Sequence, residues 1–91
     1  MEKTNAIAAL AALAQESRLD IFRTLVEYRP AGLPVGRIGE LLGLPGATLS
    51  FHLAQLKQAG LVNVERQGRS LIYSADVEAV DQLAAYLQEN C

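Results

Sequence analysis

The chain has 91 residues, with eight Lys or Arg against ten Asp or Glu and a single cysteine, Cys91. That length supports one domain and excludes a two-domain enzyme with its site between the halves; the lone cysteine excludes an internal disulfide framework and a structural zinc site built from the cysteines of one chain. Hydrophobic residues make up 51% of the sequence but aromatics only 5%. Leu and Ala dominate that apolar set, which favours helices over a large sheet sandwich.

A domain of this size buries only about 60–65% of its unfolded surface, so a dimer would help to stabilise it. Mean hydropathy is +0.15, yet no run of about 18 apolar residues occurs, and the Ala/Leu-rich stretch 4–14 lacks the basic flank and cleavage site of a signal peptide. A cytoplasmic protein without a membrane partner is expected. The net charge of −2 argues against nucleic acid only if it is evenly spread. It is not: residues 1–40 carry five bases and five acids, residues 41–75 carry Lys57, Arg66 and Arg69 against Glu65, and residues 76–91 carry Asp76, Glu78, Asp81 and Glu89 with no base.

Along the chain, Thr4 is placed to cap a first helix in which Ile7, Leu10 and Leu13, with the alanines between them, form an apolar side that allows close approach. Ser17 is a second capping candidate, with Asp20 three residues on, and Leu19, Phe22, Leu25 and Val26 then repeat at helical spacing up to Pro30. Pro30, Gly32 and Pro34 read as a connector. Residues 35–42 read as a short helix with Ile38, Leu41 and Leu42 inward, closed by Gly43. After the turn Gly43-Leu44-Pro45-Gly46, a helix from Ala47 sets Leu49, Leu53 and Leu56 on one side, and Gly60 ends it.

From Leu61 the period changes to two: Val62 and Val64 flank Asn63, and Leu71-Ile72-Tyr73 answers them across Gln67-Gly68-Arg69, as in a β-hairpin. Asp76 is placed to cap a last helix with Val77, Val80, Leu83, Ala84 and Leu87 as a continuous apolar stripe, more than a lone surface helix needs. The fold expected is mainly α with a β-hairpin wing. One domain spans 1–91, with the paired helices at about 35–59, the wing at about 61–75 and the outer helices at about 4–14 and 77–89.

A short helix, a tight turn, a longer helix and a two-stranded ribbon, in that order, make a winged helix-turn-helix arrangement. The longer helix can lie in the DNA major groove while the ribbon tip reaches the neighbouring backbone or minor groove. With the leucines inward, Thr48, Ser50 and Gln55 can hydrogen-bond bases or phosphates, Phe51 can contact a thymine methyl or a sugar, and Lys57, Arg66 and Arg69 supply positive charge. Free N–H groups at the helix start add a phosphate site. The alternatives are ordinary ones: polar helix faces are commonly just solvated, winged helices also bind proteins, and Phe51 can equally pack beneath the wing. His52, the only histidine, reads as a structural hydrogen-bonding group rather than a ligand or base.

Three segments, "LAQESRLDIFRTLVE", "IGELLGLPGATLSFHLAQLKQAGLV" and "VERQGRSLIYS", together resemble the ArsR family of metal- and metalloid-responsive winged-helix repressors, over residues 11–87. The most specific parts are Ser17-Arg18-Leu19, the set Thr48, Ser50 and His52-Leu53 leading to Ala59-Gly60-Leu61-Val62, and Gly68-Arg69 before Tyr73. The resemblance implies a homodimer packed through the first and last helices, reading a palindromic operator with recognition helices ~34 Å apart. It also implies that Thr48, Ser50 and Gln55, with Arg66 and Arg69 of the wing, face DNA. The sequence departs from the family at Pro45, Gly46 and Ala47, where many members have polar residues, and at Phe51, where many have a second histidine.

Family members differ in where the inducer binds. The cysteine pair on the short helix is absent, with Val35, Gly36 and Arg37 in that region, and the last helix has Asp76 and Asp81 but no histidine to complete a zinc site. Those carboxylates suit a solvated helix start, favoured by the helix dipole. The tail "AYLQENC" resembles a subset of arsenite repressors whose last helix runs into adjacent cysteines. Arsenite or antimonite held partly by Cys91 is therefore the expected inducer. Arsenite takes three sulfurs, and two Cys91 thiolates of a dimer leave that site incomplete, so either the natural chain continues or the sensing has been lost.

No activated nucleophile, phosphate loop or carboxylate pair marks an enzyme. The expectation is a dimeric repressor of operator DNA derepressed by trivalent arsenic or antimony. Its rivals are a regulator triggered by thiol oxidation at Cys91 and a protein-interaction module that no longer reads DNA.

Overall fold

Periodicity of 3.6 residues gives way to periodicity of two and then returns. The elements are α1 (Lys3–Leu13), α2 (Glu16–Glu27), β1 (Leu33–Pro34), α3 (Val35–Leu42), α4 (Gly46–Gln58), β2 (Val62–Gln67), β3 (Ser70–Ala75) and α5 (Val77–Leu87). They are seen in a computed structural model that describes residues 1–89. The core is where α2, α3 and α4 converge: Ile21, Leu25, Ile38, Leu49, Leu53, Leu56 and Leu61 are fully buried. Each contributes about 1.5–3 kcal/mol of apolar transfer free energy. The leucine spacing of α4 lies inward as its period requires.

Helix α1 inverts part of its expected facing. Ala6, Ala9 and Ala12 are buried, whereas Ile7 is 58% and Leu10 43% exposed. A methyl side chain lets the α1 backbone approach α2 and α4 closely, and larger residues there would hold it off. In α2, Ile21 takes an inward place with Phe22 and Leu25 while Leu19 stays exposed, and in α3 Leu41 is exposed beside buried Ile38.

The helix starts differ from the capping residues expected. Glu2 occupies the N-cap of α1 without a side-chain bond, so Thr4 lies inside the helix. Gln15, not Ser17, caps α2, its Oε1 accepting the Arg18 N–H at 2.9 Å; the longer amide side chain starts the helix two residues earlier than Ser17 would. Asp76 does cap α5, accepting the Ala79 N–H at 3.1 Å. Helix α4 begins at Gly46, one residue before the expected Ala47.

The hairpin pairs Val62 with Ala75, Val64 with Tyr73 and Arg66 with Leu71, and the Gln67–Ser70 pair leaves Gly68 and Arg69 as the turn. Gly68 has φ +63°, the left-handed conformation that tight hairpin turns need. The connector contains a strand that its prolines and glycine hide. Leu33 and Pro34 pair with Tyr73 and Ile72, giving a three-stranded antiparallel sheet in the order β1-β3-β2. Gly32 makes this approach possible: its φ is +76°, and a Cβ there would collide with the Tyr73 carbonyl oxygen.

Candidate nucleic-acid interface

The turn between α3 and α4 is built by its own residues. Gly43 closes α3 in the left-handed conformation at φ +65°, and the Leu44 N–H donates back to the Gly39 carbonyl at 3.1 Å. A side chain at Gly39 would stand 3.2 Å from the Leu44 carbonyl oxygen, so the small residue permits the tight return. Pro45, extended at φ −62° and ψ 151°, precedes α4, and its carbonyl accepts the Leu49 N–H at 2.9 Å. The N–H groups of Gly46, Ala47 and Thr48 thus have no earlier turn to donate to and lie at the positive end of the helix.

Helix α4 sorts its residues sharply. Leu49, His52, Leu53 and Leu56 are buried; Thr48, Ser50, Phe51, Ala54 and Lys57 are exposed and Gln55 is half-buried. Phe51 is 58% exposed, its ring meeting that of His52 edge to face with centroids 5.6 Å apart. Packing of Phe51 beneath the wing, the alternative left open by the sequence, does not occur.

Arg66 and Arg69 are both exposed on the wing. Arg66 lies opposite Leu71, on the sheet face shared with Val62 and Val64, and Glu65 lies on the other face, so strand alternation separates the acid from the base. Because β1 leads directly into α3 and pairs with β3, the wing and the helix pair are tied into one unit. Sequence reading missed this link, since two paired residues are too short to show a period.

His52 is buried, and its Nδ1 lies 3.4 Å from the Arg18 guanidinium. The Nε–H of Arg18 donates to the Ala12 carbonyl at 2.7 Å. The structural role expected for His52 is the one it has. Arg18 was visible only as part of Ser17-Arg18-Leu19, without a role, because its partners are 6 and 34 residues away.

The described residues contain no group of three His, Cys, Asp or Glu side chains placed to hold a metal ion. Asp76 is committed to capping α5 and Asp81 is exposed. Cys91 lies outside the described residues. No helix among them is long and apolar enough to cross a membrane.

Comparison with known proteins agrees with this geometry. The family model "Helix-turn-helix domain" matches residues 13–65. The transcriptional activator HlyU of Vibrio cholerae is 36% identical over 97 residues, spanning 99% of this chain and 87% of HlyU. Among solved structures, an ArsR-like transcriptional regulator from Rhodococcus sp. RHA1 superposes with a TM-score of 0.81 at 26% identity, covering 93% of this chain and 77% of that one. The homodimeric winged helix-turn-helix DNA-binding domain Mb0332 from Mycobacterium bovis, described as a possible ArsR-family regulator, superposes at 0.77 with 30% identity, covering 93% and 76%. These relatives are named as regulators rather than enzymes. In sequence and in fold, the chain belongs to the ArsR family of winged helix-turn-helix transcriptional regulators.

Proposed function

We propose that the protein is a homodimeric repressor that binds double-stranded operator DNA through α4 and the wing. The observation that carries this reading is the division of α4: its leucines are buried while Thr48, Ser50 and Phe51 are exposed, and the hairpin that follows in the chain carries exposed Arg66 and Arg69. Thr48, Ser50 and Gln55 read bases or phosphates, Phe51 meets a thymine methyl or sugar, and Lys57, Arg66 and Arg69 neutralise phosphates. Exposed Ile7 and Leu10 on α1 and Leu87 on α5 supply an aliphatic dimer face. Repression is the proposed sign of control, whereas HlyU is named an activator.

For the trigger, the "AYLQENC" tail supports thiol chemistry at Cys91, with trivalent arsenic or antimony as the inducer. Arsenite takes three sulfurs, of which the two Cys91 thiolates of a dimer would supply two. Oxidation of the same thiol is the second reading, and it needs no third sulfur. Selection of bound duplexes from a random pool, followed by fluorescence anisotropy, tests the DNA reading. A palindromic site bound by the dimer is the expected result; no duplex selected, with a protein partner bound independently of salt, would favour an interaction module. Release by arsenite in the presence of reductant supports the metalloid, and release by oxidant that reductant reverses supports oxidation.

A further inference from the structure

The Arg18 side chain joins three helices. It leaves the first turn of α2, donates from Nε to the Ala12 carbonyl at 2.7 Å, and brings a terminal nitrogen to 3.4 Å from His52 Nδ1 on α4. Ala12 lies in the last turn of α1, where carbonyls lack intrahelical donors and carry the negative end of the helix dipole, so the cation is suited to that place. Among the described residues no carboxylate pairs with Arg18; its charge meets a carbonyl and an imidazole. Alongside lies an open surface groove of about 450 Å3 whose lining includes Ala12 and Arg18 themselves, with Ala8, Ala11, Gln55 and Gln58. The polar bridge borders this groove and adds to the alanine packing that holds α1 on the core.

A guanidinium has only donors, so a hydrogen bond between the two requires His52 Nδ1 to accept, with the ring proton on Nε2. The ring held in this way meets Phe51 edge to face, which carries the constraint on to an exposed residue of α4. We propose that Arg18, acting through His52, is a positioning residue that fixes the pose of α4, and of Phe51 on it, against α1. It thereby couples the helix that carries the aliphatic dimer face to the helix that reads DNA. This inference rests on the DNA-binding reading for its functional consequence, though not for its geometry.

The test compares wild type, Arg18→Ala, His52→Leu, the double variant and His52→Asn, whose amide oxygen stands near the place of Nδ1. Each is titrated with its selected operator and with unrelated duplex, at a concentration where all have the same oligomeric state. Arg18→Ala and His52→Leu should each lower the preference for operator by about tenfold, comparable to loss of one base contact. The double variant should be little worse than either single one. The salt slope should stay unchanged, and His52→Asn should recover most of the preference. Equal losses on both duplexes, additive effects, or an Asn variant as poor as Leu would overturn the proposal.

Should the variants fail to fold, nitrogen NMR of the wild-type imidazole decides: protonated Nε2 with bare Nδ1 supports the clamp, and protonated Nδ1 overturns it. If wild type binds no duplex, the DNA reading fails alone, and the clamp is judged by that spectrum and by whether the two substitutions are coupled in thermal stability.

Discussion

Replacing Arg69 with alanine isolates the wing's contribution to DNA binding. Arg69 occupies the two-residue turn after Gly68, exposed at the tip of the hairpin, so the substitution removes a charge without opening a cavity. Each phosphate neutralised contributes about 0.9 to the slope of log affinity against log salt. One arginine per protomer and two wings per dimer should therefore reduce the slope by about 1.8. Between 50 and 200 mM salt, a fourfold change, wild type should lose about twelvefold more affinity than the variant. Anisotropy titrations at four or five salt concentrations would measure both slopes, with Lys3→Ala on α1 as a control of equal charge change. An unchanged slope for Arg69→Ala, or an equal change for the Lys3 control, would refute a wing–phosphate contact and leave only the effect of net charge.

Three further outcomes follow from the packing. Leu53→Ala removes a side chain that is 1% exposed beneath α4 and should cost about 3 kcal/mol in urea unfolding at fixed protein concentration. A loss below about 1 kcal/mol would mean that α4 is not seated on the core as described. Gly32→Ala, at φ +76° and in collision with the Tyr73 carbonyl, should destabilise by more than about 2 kcal/mol, whereas Gly43→Ala, at φ +65° with nothing within 4 Å, should cost only about 1 kcal/mol; equal losses in melting experiments would argue against β1 pairing with β3. Ile7→Glu should shift sedimentation from dimer toward monomer, and an unchanged dimer mass would exclude the α1 face from the interface.

Much of the helix-turn-helix unit was legible because its signals are local. Leu49, Leu53 and Leu56 recur within one helix, Gly43 and Gly68 mark positive-φ positions at an end and a turn, and Asp76 lies three residues from the N–H it accepts. The misplaced features depend on partners far along the chain. Strand β1 pairs with residues about 40 positions later, so its two residues carry no alternation of their own. The start of α2 departs from the expected Ser17 cap for a subtler reason: Ser17 is a good capping type, but the Gln15 side chain reaches the Arg18 N–H first.

The sequence alone determined that the chain is mainly helical with a basic middle and an acidic end, and that one helix face and one hairpin tip are polar. Period and charge order are properties of the chain itself, and every fold must respect them. Only the tertiary structure decided which side of α1 turns inward, that Phe51 is exposed, that the wing is joined to α3 through β1, and that Arg18 spans α1, α2 and α4. Those outcomes are set by how closely helices can approach and by which distant groups can satisfy one another's hydrogen bonds. The net charge of −2 fixed none of them. Its sorting along the chain leaves two exposed arginines on the wing.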